Sequence, residues 1–308
     1  MKVSVIIVTY RRAWALPYSL SSIASQTRKP DEVIVVLKPS GDGSEEIISK
    51  FSSLLPIKLL IQRQGNSTDA YQMAIDCAAG DLVLFIDDDA VAEEVWVEKY
   101  VKLFNVLPHV GGVGGAIYKA YIEGSNLRKS NEPFWHRTIT KTVFHRRPLP
   151  EFSNYMSWLS VSGFMGAKEV LSSEVFKSIN LAGTNMGFKK EAIAGCPLAQ
   201  LYRRSKKGLG FEQLLAYCAK RRGYELYEVL DTQAPTVWHI VHGQSLTRGK
   251  GFWHEFWMHY DRVAHYWRLK RLGANVSFIA YLIACIVTLR RKTLPRLLAT
   301  TYVWFTRV

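Results

Sequence analysis

The first ninety residues alternate between two textures, and that alternation restricts the fold more than any other feature. The runs VSVIIVTY (3–10), EVIVVLK (32–38), IKLLIQ (57–62) and LVLFID (82–87) are short, β-branched and nearly all apolar. Between them, Leu16, Leu20 and Ile23, then Ile47, Ile48 and Phe51, then Tyr71, Met73, Ala74 and Cys77 recur at helical spacing. Strands that are apolar on both faces must be covered on both, and helices between successive strands do this through right-handed crossovers. The expected fold is therefore α/β and Rossmann-like, with a mostly parallel central sheet flanked by helices. The stretch KPSGDGSEE (38–46) supplies turn chemistry between the second strand and its helix.

In such a sheet, ligands bind beyond the C-terminal ends of the strands. Thr9 and Tyr10, the 38–44 loop and Asp87, Asp88 and Asp89 all fall at those ends, so they are expected to be neighbours. The three aspartates follow a core strand directly. A hard cation such as Mg²⁺ takes one or two carboxylates and fills its shell with phosphate oxygens and water. Alternate residues of an extended chain point the same way, so Asp87 and Asp89 can share a site while Asp88 turns aside. An exposed acidic helix start is the competing reading, since AEEVW follows. The place at a strand end favours the cation.

Beyond residue 110 the pattern is less regular. GGVGG (111–115) is a glycine cluster, and 116–160 mixes basic and aromatic residues without a clear period. LAGTNMGFKKEAI (181–193) reads as a turn or strand opening a helix, and FEQLLAYCAKRRGYEL (211–226) as a helix ending at Gly223. Trp253, Phe256, Trp257, Tyr260, Val263, Ala264 and Trp267 form a helical stripe. Two apolar pieces follow, at 276–289 and 297–305, separated by RRKTLPR.

These textures, in this order, resemble the opening of a family 2 glycosyltransferase of the GT-A fold: VSVIIVTYRR, DEVIVV, then a helix and AAGDLVLFIDDDA. GTNMGFKK (183–190) resembles the acceptor-side segment of that family, and GFEQLLAYCAKRRGYEL its E-D helix. The resemblance covers roughly residues 3 to 245. It implies an inverting transferase that moves a sugar from a nucleotide-diphosphate sugar to an acceptor hydroxyl, with a divalent cation, Mg²⁺ or Mn²⁺, on the diphosphate. Thr9 and Tyr10 would line the base pocket, with Arg11 or Arg12 near the phosphates. Asp87 and Asp88 would belong to the donor site, and Asp87, Asp89 and His239 would hold the metal, His242 being the alternative histidine. Glu212 would be the general base, eleven residues before Gly223, with Asn185 and Met186 on the acceptor side. Two departures stand out. Leu37 and Lys38 occupy the place where the family carries base-contacting aspartates, which leaves Asp42 to serve, and Phe211 takes the first position of the acid pair.

This reading divides the chain into a nucleotide-sugar-binding half (1–110), an acceptor-binding half (111–250) and a C-terminal helical, aromatic-rich appendage (251–308). The formal net charge of +14 is uneven: residues 201–308 hold 18 Lys and Arg against 6 Asp and Glu. That balance, with the aromatics, suits peripheral contact with the cytoplasmic face of a membrane, where a lipid-linked acceptor would be found. The 276–289 piece is shorter than the about 20 apolar residues of a spanning helix. Met1-Lys2 runs straight into VSVIIVTY without a small-residue cleavage site, so no signal is expected. The four cysteines show no metal-type spacing and read as scattered buried thiols.

Other classes fit less well. A polyprenyl-phosphate glycosyltransferase would present an acceptor that is already anionic. A nucleotidyltransferase would want a glycine-rich loop after the first strand, and TYRRAWALP lacks it. A non-catalytic nucleic-acid or membrane-binding protein would leave the acidic triplet unexplained, and no nucleic acid is expected as a partner.

Overall fold

The computed structural model describes residues 1–124, 126–134, 145, 147–168, 174–242, 249, 251–289 and 293–307. Four strands carry the alternation of the first ninety residues: β1 (Val3–Thr9), β2 (Glu32–Leu37), β3 (Ile57–Ile61) and β4 (Leu82–Ile86). Helices α1 (Leu16–Ala24), α2 (Ser44–Phe51) and α3 (Ser67–Cys77) lie between them. All four strands pair in parallel, β2 and β4 flanking β1 and β3 flanking β2.

The two-faced apolar pattern has a direct structural cause. Ile6, Ile34, Val36, Val83 and Phe85 pack into one core with Ala70 and Ala74 of α3. Val5, Ile7, Val33, Val35, Leu82 and Leu84 pack into a second core with Leu16 and Leu20 of α1 and Ile48 of α2. β3 departs from the expectation. It is the sheet edge, and its Leu59 and Ile61 are exposed, because only one neighbour covers an edge strand.

The chain continues with β5 (Ala90–Ala92), helix α4 (Trp96–Val106), β6 (Val110–Gly114), β7 (Ala116–Glu123), β8 (Asn126–Pro133), β9 (Ser157–Leu159), β10 (Met165–Ala167), β11 (Val175–Lys177) and β12 (Asn185–Lys189). Helix α5 (Phe211–Arg221), β13 (Glu225–Val229) and β14 (Thr236–Ile240) follow. The main sheet has eight strands in the order β11-β13-β6-β12-β4-β1-β2-β3. Its β12 runs antiparallel between β4 and β6. A second sheet, β5-β14-β7-β8, begins where the aspartates end. Sequence reading found no strands between 110 and 133, because their glycines and charged residues hide the period. Gly112 is required by packing: a Cβ there would lie 2.7 Å from the Phe188 ring. At Gly115 a Cβ would lie 2.1 Å from the Pro235 carbonyl oxygen.

Three helices close the chain: α6 (Phe252–Arg271), α7 (Phe278–Thr288) and α8 (Thr293–Thr306). Residues 290–292 of the RRKTLPR spacer lie outside the described residues. A buried clamp ties α6 to the 201–210 segment. Asp261 accepts hydrogen bonds from the Ser205 hydroxyl (2.7 Å) and the Leu209 amide (3.1 Å). It also pairs with Arg268 at 2.7 Å, and the Arg268 guanidinium lies 3.7 Å over the Tyr202 ring.

The cysteine expectation needs correction. Cys196 and Cys218 are joined by a disulfide, with Cα atoms 6.1 Å apart. The turn holding Cys196 packs on the inner face of α5, close enough for its sulfur to reach the Leu214 carbonyl. Spacing in the sequence carries no trace of that packing. Cys77 and Cys285 are free thiols, and burial pushes Cys285 up to about 12.

Candidate active site

Asp87, Asp88 and Asp89 form the turn between β4 and β5, closed by the Ala90 amide on the Asp87 carbonyl at 3.1 Å. The second sheet brings the histidine to them. β14 pairs antiparallel with β5, with His239 opposite Ala90, and the Ile240 amide donates to the Asp89 carbonyl at 2.8 Å. His239 Nε2 then lies 3.3 Å from Asp89 Oδ1 and 3.8 Å from Asp87 Oδ2. Among the described residues, Asp87, Asp89 and His239 form one group whose ligand atoms all fall within 4.8 Å of one another.

The imidazole is oriented. Its Nδ1 faces the Ile240 carbonyl at 3.2 Å, and its ring stacks on Phe134 with centroids 4.1 Å apart. A carbonyl only accepts, so Nδ1 donates there and Nε2 is left facing the two carboxylates. Three possible ligand atoms converging on one point suit a cation. Two carboxylate oxygens and one imidazole nitrogen make a donor set compatible with Mn²⁺, and with Mg²⁺ through its oxygens. His242 goes elsewhere, stacked on Trp14 at 4.2 Å.

Electrostatics agree with this arrangement. Burial, and then the neighbouring Asp89 charge, raise the Asp87 carboxyl above its ordinary range, while His239, Thr184 and Arg12 pull it down. Asp88 is raised well above its usual value by burial and by Asp89, against the pull of Arg12 and Thr9. Crowded carboxylates of this kind favour a bound cation. Arg12 is the counter-charge built into the protein, 3.4 Å from Asp88 and 3.3 Å from Asp89. Arg12 thus bridges Asp88 and Asp89, while Asp87 and Asp89 share the histidine.

The other expected residues take these places. Thr9 is buried at the end of β1. Arg11 is exposed, with a left-handed backbone (φ 57°), and its guanidinium lies 5.1 Å from the Tyr10 ring centroid. Lys38 approaches the same ring at 5.8 Å. Asp42 accepts from the Ala13 amide and the Ser40 hydroxyl, each at 3.0 Å, which joins the 38–44 loop to the segment after β1. Glu212 is in the first turn of α5, within electrostatic reach of Asp87. Burial raises its carboxyl to about 7, Asp87 adds to the rise, and the Glu212 backbone amide opposes it.

Asn185 and Met186 do not face the site. Asn185 is fully buried, and its amide is saturated: Oδ1 accepts from Trp96 and Tyr100, and Nδ2 donates to the Ala116 and Pro235 carbonyls, all at 2.8 Å. Met186 is a core residue of β12. Their neighbour Thr184 reaches the site instead, donating its hydroxyl to Asp87. Thr184 lies just before β12, whereas Asn185 and Met186 begin the strand and are both buried in the protein interior.

One further residue escaped the sequence reading as a member of the site. Tyr71 of α3 has its ring stacked on Phe211 at 4.3 Å. Burial, then the charges of Asp87, Asp88, Glu212 and Asp89, push its hydroxyl far up, so it stays a donor. At helical spacing it looks like any core residue. Phe211, the departure in the acid pair, forms the other half of that stack. Arg12 could be read only as one of two arginines after a strand.

Comparison with known proteins places these features in context. The family model described as Glycosyl transferase family 2 matches residues 4–164. A glucosyl-dolichyl phosphate glucuronosyltransferase of Haloferax volcanii is 26% identical over 138 residues, 44% of each chain. The poly(ribitol-phosphate) beta-N-acetylglucosaminyltransferase TarP of Staphylococcus aureus is 29% identical over 142 residues, 42% of this chain and 43% of TarP. The chain thus spans less than half the length of these two relatives. Among solved structures, S. aureus TarS 1-349 in complex with UDP-GlcNAc superposes with a TM-score of 0.54 at 17% identity, covering 90% of this chain and 68% of that one. GalNAc-T7 with UDP, GalNAc and Mn²⁺ gives 0.57 at 12% identity, covering 84% and 48%. These two likenesses bear on the fold alone.

Proposed function

The chain belongs to glycosyl transferase family 2, and on that premise we propose that it transfers a hexosyl or N-acetylhexosaminyl group from a nucleotide-diphosphate sugar to an acceptor hydroxyl, with inversion at the anomeric carbon. The observation that carries this reading is the convergence of Asp87, Asp89 and His239 at the strand ends, with Glu212 within electrostatic reach of Asp87.

Thr9 and Tyr10 border the nucleotide, with Arg11 and Asp42 on the loops beside them. Asp87, Asp89 and His239 hold a divalent cation, which when bound neutralises the charge of the departing diphosphate. Thr184 fixes one Asp87 oxygen, and Arg12 keeps Asp88 and Asp89 from repelling one another apart. Glu212 takes the proton of the acceptor hydroxyl. That oxygen attacks the anomeric carbon from the face opposite the leaving group, and the nucleoside diphosphate departs with the bonding electron pair. A carboxyl near 7 is tuned for this exchange, because about half of it is ionised at neutral pH and it is basic enough to accept a proton.

The acceptor is a lipid-linked glycan or a cell-surface polysaccharide precursor, met at the cytoplasmic face of a membrane. The kinship with a glucosyl-dolichyl phosphate glucuronosyltransferase supports the first of these. Residues 1–110 form the donor half, 111–250 the acceptor half and 251–308 the appendage. The test is a thermal-shift screen of UDP-, GDP- and dTDP-sugars with and without Mn²⁺ or Mg²⁺. A donor at about a hundred times its Kd adds about 2.7 kcal/mol of stability, easily seen in a melt. The reading fails if no nucleotide sugar gives a metal-dependent shift. A polyprenyl-phosphate acceptor, already anionic, would replace the hydroxyl if Glu212→Gln left transfer intact.

A further inference from the structure

Helices α7 and α8 are apolar on the face they bury and on the face they expose. On α7, Tyr281, Ala284 and Cys285 turn inward, and Tyr281 stacks on Tyr266 of α6 at 4.2 Å. The opposite face carries Ile279, Leu282, Ile283 and Ile286, spaced i, i+3, i+4 and i+7, with Ile279 71% and Ile286 66% exposed. No charged residue occurs anywhere in α7. On α8, Ala299 and Val303 turn inward, while Leu294, Leu298 and Phe305 lie on an outer stripe, Phe305 86% exposed. Trp304 of α8 donates to the Tyr281 hydroxyl of α7 at 3.2 Å, so the two helices form one layer over α6. An amphipathic surface helix normally turns its polar face to solvent. These two carry apolar residues on both faces, and a monomer rarely leaves so many large apolar side chains together in water.

Charge says what covers them. Residues 262–308 contain nine Lys and Arg and no Asp or Glu. Arg262, Arg271 and Arg307 are exposed around the layer. Among the described residues no helix is long and apolar enough to cross a membrane. Glu255 of α6 is paired with Arg296 of α8 at 2.6 Å, so the charge left over around the apolar face is cationic, which matches the boundary of a bilayer that carries anionic headgroups.

We infer that the outer faces of α7 and α8 form a docking surface for an anionic lipid bilayer, on which the protein lies without spanning it. The Asp261–Arg268 clamp gives this contact a consequence for the site. Because Asp261 holds Ser205 and the Leu209 amide, α6 and the segment leading into α5 move together. Docking therefore fixes the start of α5, and Glu212 with it, at a set height above the lipid surface. The inference deepens the reading of a lipid-linked acceptor and rests on it only for that consequence.

The test is flotation of the full chain with phosphatidylcholine vesicles and with mixed phosphatidylcholine–phosphatidylglycerol vesicles, with no donor or acceptor present. Binding to the anionic vesicles is expected to be at least about tenfold stronger at low salt, and to weaken as salt rises. The double substitution Ile279→Asp, Ile286→Asp is expected to lose it while keeping the wild-type circular dichroism and melting midpoint. Hydrogen exchange on the wild-type chain gives a second reading, with new protection across 278–305 only when anionic vesicles are present. Absence of binding, or equal binding to both vesicle types, overturns the inference. So does protection of 278–305 that appears without vesicles in a dimer, which would make a second copy the occupant. Sugar transfer is assayed separately on a soluble acceptor, so either conclusion can fail alone.

Discussion

Glu212→Gln separates the stability of the site from its chemistry. The wild-type carboxyl sits at about 7 in the folded protein against an ordinary 4.5. At about 1.36 kcal/mol per pH unit, that difference amounts to about 3 kcal/mol of destabilisation once the group is ionised in both states. The sign follows from linkage. Below 4.5 the carboxyl is protonated whether folded or not, and nothing is lost. Between 4.5 and about 7 the unfolded chain releases the proton first, so stability falls as pH rises. Above about 7 the full cost remains. Glu212 is only partly buried and lies in the first turn of a helix, where a negative charge is favoured by about 0.3–1 kcal/mol, so the net expectation is about 1–2 kcal/mol. Glutamine keeps the shape and removes the charge. In urea melts with EDTA, the variant should match the wild type near 4.5 and exceed it by that margin at about pH 8.5. The same variant should lose sugar transfer at every pH. Adding Mn²⁺ should shrink the stability gap, because a cation on Asp87 removes part of the repulsion that raises Glu212. Parallel stability–pH curves for the two proteins would refute the reasoning, since they would mean Glu212 is not held in a desolvating, acidic environment.

Three other outcomes follow from the geometry. His239→Ala should weaken Mn²⁺ binding, followed by titration calorimetry, by more than the about tenfold lost when only an outer partner of a ligand is removed. Asn185→Ala leaves the Trp96 and Tyr100 donors and two buried carbonyls without partners, and should cost about 3 kcal/mol or more in urea melts. Unchanged stability there would restore Asn185 as a candidate for the acceptor side. Arg268→Met strands the buried Asp261 carboxylate and should cost about 3–5 kcal/mol, with hydrogen exchange rising first in the 201–210 segment.

The first ninety residues were legible because their signal is local. Each of β1, β2 and β4 is nearly all apolar for the same reason, burial on both faces, and the aspartates declare themselves by following β4 without a break. The stretch beyond residue 110 was harder to read. Three of the five residues of β6 are glycine, and Tyr224, Phe188 with Leu226, and Leu181 occupy the space that side chains at Gly111, Gly112 and Gly114 would fill. The 181–193 stretch was recognised as a turn or strand opening a helix, but that Thr184, just before β12, reaches the site while Asn185 and Met186 are buried was not, because that depends on how the strand packs. Asn185 draws attention as a polar residue in an apolar run, and burial explains it: one amide satisfies four groups from α4, β7 and the segment before β14.

By itself, then, the sequence determined the strand–helix alternation, the ligand edge at Thr9 and Asp87–Asp89, the acid at Glu212 and the cationic, aromatic character of the last third. Those properties depend on neighbours a few residues apart, where periodicity and turn chemistry operate. Only the tertiary structure decided between His239 and His242, turned Asp88 toward Arg12, joined Cys196 to Cys218 and placed Tyr71 among the carboxylates. Each of those depends on register between strands, or on packing across more than a dozen residues of chain. A one-residue shift of β14 against β5 would have brought a different side chain to Asp89, and nothing local in the sequence distinguishes the two registers.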